Sequence, residues 1–382
     1  MSPLSIVIVG SGYRAILFAK VIQRFPEHFH LEYLLCRGQE KADKIAEEGI
    51  PTTISKEECR QARPDFVVAA VNRENMLRVA QEWTGYGVPV LLETPAAASV
   101  NELNRLWELS QKYGARIQVA EQYRRYPSMA AGLRMLREGK AGEPYAVGLS
   151  LAHDYHAAGL IRGMLNIGLE PMVLRGKRYR FPVTQTNSRY GPITDGSVKE
   201  FERDVVTIEY ASGKAGFYDF CGVQYRTFIR ARHVNVQGRD GEWNDTVFRY
   251  VGEDHLPVQE RILPWLAPEY RCLETEELKG ICGSWNPFLV MEEEQDRYAI
   301  ATMLYDMRRY LEDGTEIYPL REGLEDAYTW LLIQEAVTNP GKEVRSQKMP
   351  WQEKEPAGAE GNGQAGGDMT IKEKAMRNNY EK

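Results

Sequence analysis

The sequence has no long apolar run: segments such as Phe66 to Val71 are far shorter than the roughly 20 residues that a membrane-spanning helix needs. Positive charge is not in excess either. Lys plus Arg number 48 against 54 Asp plus Glu, a formal net charge of −6, which is not the footprint of a chain that coats nucleic acid. The five cysteines (Cys36, Cys59, Cys221, Cys272 and Cys282) make no CxxC pair. Neither a disulfide framework nor a thiolate zinc site is indicated, and reduced structural thiols are expected. No basic residue precedes the apolar stretch Leu4 to Val9, and Gly10, Ser11, Gly12 and Arg14 interrupt it at once, so it does not read as a secretion signal. A cytoplasmic protein with a small-molecule partner, and no nucleic-acid or membrane partner, is expected. What the chain does have is material for a core: 382 residues, 43% hydrophobic and 10% aromatic, suffice for about two domains.

Leu4 to Val9 reads as a strand buried on both faces, and Tyr13 to Phe25 repeats apolar residues at helical spacing. Strands at Leu31 to Cys36, Phe66 to Val71, Val88 to Leu92 and Ala115 to Ala120 then alternate with helices at Glu40 to Glu48, Glu74 to Gly85 and Val100 to Tyr113. Such alternation predicts right-handed βαβ crossovers and a doubly wound parallel sheet over residues 1–122. Beyond this point the segments Tyr145 to Leu151, Asp204 to Tyr210, Gly216 to Phe220, Thr227 to Arg232 and Val234 to Gln237 read as strands of a mostly antiparallel sheet. With late helices at Glu292 to Leu311 and Gly323 to Val337, they predict an α+β domain over 123–350. Residues 351–382 read as a disordered tail, because Gly, Ala, Glu, Lys and Asn leave little to bury.

Gly10-Ser11-Gly12-Tyr13-Arg14-Ala15 is a G-x-G-x-x-A sequence between a strand and a helix. The first glycine allows the turn, the second lets backbone approach a pyrophosphate, and Ala15 lets the helix sit against the strand, with the helix N-terminus holding the phosphates. At the end of the second strand, where an Asp or Glu would hold the ribose of NAD, stand Cys36 and Arg37. Arg37 either faces the 2′-phosphate of NADP or is a solvated surface arginine; NADP is mildly favoured over NAD.

The segment from Asp65 to Asn72, the later Glu93-Thr94-Pro95-Ala96, and Glu121-Gln122-Tyr123-Arg124-Arg125-Tyr126-Pro127 resemble, in their order, the Gfo/Idh/MocA oxidoreductases. The C-terminal segment from Gly314 to Val344 is also similar to that family. The resemblance implies a Rossmann domain joined to a domain with a large open sheet, often used for dimer or tetramer contacts, and a sugar-like or polyol substrate over the nicotinamide. It also implies cofactor contacts at Val71, Asn72, Glu93 and Thr94. Family members carry Glu-Lys-Pro where this chain has Thr94, whose hydroxyl can hydrogen-bond a substrate but cannot serve as a base near neutral pH. In the family's later Asp-x-Gly-x-His-x-x-Asp segment, His156 is retained and Gly159 stands in the place of the aspartate.

His156 is accordingly either the acid–base residue or a satisfied structural histidine. If strand geometry persists through His153-Asp154-Tyr155-His156, Asp154 shares a face with His156 and orients it, while His153 and Tyr155 point the other way. A metal on the two histidines lacks a third ligand and is not expected. Arg124, Arg125, Tyr126 and Arg162 are candidates for contact with a carboxylate or hydroxyl-rich ligand, or for interdomain salt bridges. Tyr225, Arg226, Arg230, Arg232 and His233 are further candidates, although Arg230 and Arg232 on one strand face would more often mark an oligomer contact. Glu292, Glu293, Glu294 and Asp296 read as a helix N-terminus favoured by the macrodipole.

Three functions fit these residues. The first is an NAD(P)-dependent oxidoreductase on a hydroxyl of a sugar, glycoside or inositol-like polyol, with Glu93, Thr94 and His156 near the reacting hydroxyl. The second is redox-neutral glycoside cleavage with tightly held cofactor, and the third is a non-catalytic nucleotide-binding protein. A homodimer or homotetramer formed through the C-terminal sheet is expected.

Overall fold

The computed structural model describes residues 2–188, 191–262 and 292–353. Cys272, Cys282 and the tail from 354 onward lie outside the described residues. Six strands, β1 (Leu4–Val9), β2 (Phe29–Leu35), β3 (Thr52–Thr53), β4 (Phe66–Ala69), β5 (Val90–Leu92) and β6 (Ile117–Val119), form a parallel sheet in the order β3-β2-β1-β4-β5-β6. Between them run α1 (Tyr13–Arg24), α2 (Gln39–Ala46), α3 (Lys56–Gln61), α4 (Met76–Gly85) and α5 (Val100–Tyr113). The sequence pattern anticipates all of these except the short β3 and α3, whose few residues carry too little periodicity to stand out.

The central strands β1, β4, β5 and β6 are buried on both faces. Phe66 and Val68 join one core with Ile6, Ile8 and Phe18, while Val67 and Ala69 join another with Trp83, Leu103 and Leu106. The first of these cores is completed from far along the chain. Helix α8 (Glu292–Asp313) lays Tyr298, Ile300, Leu304 and Met307 into it, so the N-terminal sheet uses residues well beyond 122.

After β6 come α6 (Pro127–Arg137), β7 (Pro144–Ser150) and α7 (Asp154–Leu165). The chain then enters β8 (Met172–Thr184), the short hairpin β9 (Asn187–Ser188) and β10 (Gly191–Pro192), β11 (Val198–Tyr210) and β12 (Ala215–Cys221). Strands β13 (His233–Gly238), β14 (Gly241–Asn244), β15 (Val247–Val251) and β16 (Pro257–Arg261), helix α9 (Leu320–Thr338) and β17 (Val344–Arg345) complete the described chain. The larger sheet has nine strands in the order β16-β15-β14-β13-β7-β12-β11-β8-β17, antiparallel except for the parallel pair β12 and β7. Its inner face, with Leu174, Val206, Ile208 and Tyr218, packs in one core with residues of α7 and α9.

Two expectations need correction. Thr227 to Arg232 is not a strand but irregular backbone after a 3₁₀ turn at Gly222–Tyr225, so Arg230 and Arg232 do not share a strand face. Strand β8, unrecognised in the sequence, carries Arg, Lys, Tyr and Phe on its outer positions, which hides the apolar alternation.

Candidate functional site

The order of the first sheet reverses beside β1, whose neighbours are β2 and β4. In open α/β sheets ligands bind outside the carboxyl ends of strands at such a point. A cleft of ≈ 2200 Å³ opens there. It is lined at once by Gly10, Ser11, Gly12, Tyr13 and Arg14, by Cys36, Arg37, Val71, Asn72, Glu93 and Thr94, and by Tyr126, His153, Tyr155 and His156.

Backbone geometry makes the cofactor wall. Gly10 has φ of +133°, and a Cβ there would lie 2.1 Å from the Ala70 carbonyl oxygen, so no other residue fits. Gly12 caps α1 in extended conformation with open space where a side chain would be. The helix N-terminus behind it offers unpaired N–H groups to an anion. The wall thus suits a dinucleotide pyrophosphate, and no carboxylate stands at Cys36 or Arg37. Burial pushes the Cys36 thiol up, and the Ser11 hydroxyl is its partner. Asn72 accepts a hydrogen bond from the Asn75 amide.

Below this wall Arg14 donates from Nε to Glu93 Oε1 at 2.5 Å and lies 3.2 Å through Nη1 from Asp296 Oδ2. Tyr126 donates its hydroxyl to Asp296 Oδ1 at 2.6 Å. The second Glu93 oxygen accepts from the Thr94 N–H at 2.6 Å and the Thr94 hydroxyl at 3.2 Å. Burial opposes the charge on Arg14, yet Glu93 and Asp296 hold its pKa above the ordinary value.

The opposite wall depends on where α7 starts. Strand geometry ends at His153, which caps the helix, and Asp154 is its first residue. The expected opposition of His153 and His156 is therefore overturned: they stand three positions apart across the first helical turn, and their rings lie 5.0 Å from each other. Asp154 faces away, 3.2 Å from the Gln334 amide that donates to it. Burial, then Asp204, push it up to about 6.

The carboxylate that orients His156 is Glu121, whose Oε2 lies 2.7 Å from His156 Nδ1 and whose Oε1 accepts from the Tyr123 N–H at 2.9 Å. Burial holds His156 neutral, down to about 3, and raises Glu121 to about 7. His153 Nδ1 lies 2.6 Å from the Tyr225 hydroxyl and its Nε2 3.1 Å from the Tyr155 hydroxyl. Burial, then the neighbouring His156, push His153 down to about 3 as well.

Arg124 and Arg162 do not reach this cleft. Arg124 donates to the Gly159 carbonyl oxygen and covers the Tyr318 ring at 5.0 Å. Arg162, 2% exposed, donates to Glu322 Oε2 at 2.5 Å and Asp326 Oδ1 at 2.6 Å. Both line a second cavity, of ≈ 1210 Å³, and their expected ligand contacts give way to pairing within the protein. A Cβ on Gly159 would lie 2.7 Å from Asp326 Oδ2, so a carboxylate from α9 fills the space beside the position where the family has its aspartate.

Sequence reasoning missed Glu121 as the partner of His156, Asp296 as a partner of Arg14, and the contact of the Tyr225 hydroxyl with His153. Only Glu121 carried a usable signal, since it lies two residues past the end of a parallel strand, at the ligand-binding edge of the sheet. Among the described residues no three His, Cys, Asp or Glu side chains gather as a metal set, and no helix is long and apolar enough to cross a membrane.

Residues 4–121 match the model of the oxidoreductase family with NAD-binding Rossmann fold, GFO_IDH_MocA. No curated protein matches the sequence. In fold, the chain is similar to an NAD binding oxidoreductase from Klebsiella pneumoniae (TM-score 0.68, 14% identity, 91% of this chain and 100% of that one). It is similar also to an oxidoreductase from Agrobacterium radiobacter solved with NAD+, L-tartaric acid and magnesium (0.67, 13%, 89% and 98%). A third similar structure is scyllo-inositol dehydrogenase from Lactobacillus casei (0.63, 14%, 90% and 98%). Residues 4–121 are thus similar to the NAD-binding Rossmann domain of the Gfo/Idh/MocA oxidoreductases, and the likeness in fold to these solved structures extends through most of the rest of the chain.

Proposed function

We propose that the protein is an NAD(P)-dependent oxidoreductase acting on a hydroxyl of a sugar, glycoside or inositol-like polyol. The observation that carries this reading is that a single cleft is lined by the dinucleotide loop and by the imidazole of the Glu121–His156 pair. When bound, the nicotinamide accepts or returns hydride at the carbon that bears the hydroxyl. The chain's own residues handle the proton.

His156 has Nδ1 engaged by Glu121, which leaves Nε2 to take the proton of the substrate hydroxyl, while the carboxylate supports the imidazolium that forms. Tyr155 and the Thr94 hydroxyl hold substrate oxygens, and Arg14, clamped by Glu93 and Asp296, fixes the Glu93 carboxylate at the base of the cleft. Arg37 favours NADP over NAD. We read the protein further as a cytoplasmic homodimer or homotetramer: Tyr179, Phe181, Val205 and Phe217 are exposed on the outer face of the large sheet. A monomer by light scattering, unchanged in Phe217→Asp, would remove the oligomer.

The test of function is direct. Purified protein is titrated with NAD(H) and NADP(H) by nicotinamide fluorescence, then supplied with polyols, sugars and aryl glycosides while NAD(P)H and aglycone are followed. Net NAD(P)H formation supports the proposal. Aglycone release without it points to redox-neutral cleavage, and cofactor binding with no turnover on any substrate points to a non-catalytic protein.

A further inference from the structure

Four arginines on β8 and β11 are paired with nearby acids. Arg178 donates to Asp204 Oδ1 and Oδ2 at 2.6 and 2.7 Å, Arg203 pairs with Asp219, Arg180 with Glu202, and Arg175 with Glu209 and Glu343. Many of these pairs stand on open surface, where screening makes each worth little, yet each of these four guanidiniums has a carboxylate beside it. In the segment from the end of β12 to β13, Arg226 and Arg230 depart from this pattern. Arg226, Arg230 and Arg232 all line the cleft that holds His156. Among the described residues, Arg226 makes no side-chain hydrogen bond or ion pair, and Arg230 donates only to the carbonyl oxygen of its neighbour Ile229, at 2.8 Å. Arg232 lies over the Tyr225 ring at 5.9 Å. Asp245, an acid that also lines the cleft, already receives the Val234 N–H at 2.9 Å and lies 3.1 Å from His233 Nδ1.

We infer that the substrate carries an anionic group, a carboxylate or a phosphate, which these arginines receive while the hydroxyl to be oxidised meets His156. The inference rests on the oxidoreductase reading and names its substrate class. Tyr225 joins the two ends, since its hydroxyl holds His153 and its ring lies under Arg232. Guanidinium groups suit both anions, for they offer several N–H donors in one plane. On a chain of net charge −6, the exposed guanidiniums of Arg226 and Arg230 on the cleft wall also raise the encounter rate with an anion.

The test uses matched probes: D-glucose, D-glucuronate and D-glucose 6-phosphate, and myo-inositol against an inositol monophosphate. Each is offered to the cofactor-loaded full chain, with binding read by thermal shift and calorimetry and turnover by NAD(P)H absorbance. The anionic members should bind roughly tenfold or more tightly than their neutral counterparts and lose that advantage as NaCl rises. Arg226→Gln with Arg230→Gln should remove the preference while leaving cofactor affinity unchanged. The carboxylated and phosphorylated arms decide which anion is taken. Equal binding of neutral and anionic members, or a preference that survives in the double variant, overturns the inference, and NAD(P)H formation from a neutral polyol would then leave the function itself standing. If neither nicotinamide cofactor binds, the functional reading fails first and the inference falls with it.

Discussion

The two walls of the cleft are built on different principles. The cofactor wall is backbone: Gly10 pressed on the Ala70 carbonyl, Gly12 open above a helix N-terminus, and short strands buried on both faces. The substrate wall is side chains, each held by a partner distant in sequence. Glu121 and His156 are 35 residues apart, Arg14 and Glu93 79, Tyr126 and Asp296 170. A backbone site tolerates change almost anywhere except at its glycines, whereas a side-chain network can alter its substrate while the fold stays the same.

The sharpest break of this comparison is Gly10→Val. Its side chain would overlap the Ala70 carbonyl at a φ that L-residues rarely adopt, and nicotinamide fluorescence titration should show cofactor binding abolished. Wild-type affinity in this variant would show that the wall does not depend on backbone approach.

Next in size is Arg162→Met, which leaves Glu322 and Asp326 without their buried cation. Denaturant unfolding should show a loss of about 3–5 kcal/mol, with cofactor affinity at native conditions retained. A variant of full stability that fails to turn over would instead return Arg162 to the site.

His156→Ala comes third, with kcat lowered by roughly 10²–10⁴ and cofactor Kd unchanged. An unimpaired kcat would make His156 structural.

The smallest effect is the most diagnostic. Glu121 holds its proton up to about 7 in the folded protein, so the rate of substrate oxidation should rise through about pH 7 as the pair becomes able to accept the hydroxyl proton. In Glu121→Gln that rise should flatten. The sign for stability follows from the raised value: with Glu121 ordinarily titrating at 4.5 and near 7 in the fold, its contribution is fully present below 4.5 and lost as pH rises through 7. Glu121→Gln should therefore gain on the wild type in melting temperature between pH 5 and pH 8, and parallel melting curves would contradict the buried carboxyl.

The same division explains what was legible in the sequence. The glycine loop, the parallel strands and α5, with Ser99 capping it and Gly114 ending it in left-handed conformation, all rest on local spacing, and each could be read from a dozen neighbouring residues. His156 was also visible, through its motif. Its orienting partner was not: Asp154 is the adjacent acid, but the helix that begins there turns it toward Gln334 and leaves Glu121 to the imidazole. Arg124 and Arg162 look like ligands for the same reason, because nothing local reveals that Gly159, Glu322 and Asp326 have already taken them. Strand β8 went unseen because its outer residues are charged or aromatic and its pairing with β11 is set by register across the sheet.

Helix α8 gives the cleft a dependence on the order of synthesis. Chains emerge from the ribosome N-terminus first, and early segments generally fold as units when they can. The first 122 residues contain every glycine of the loop, but Asp296, which grips Arg14, and the apolar face that covers Ile6 and Phe18 arrive some 170 residues later. A nascent chain therefore exposes one side of its first sheet until α8 is made, and the cleft is complete at Arg14 only when that helix has docked.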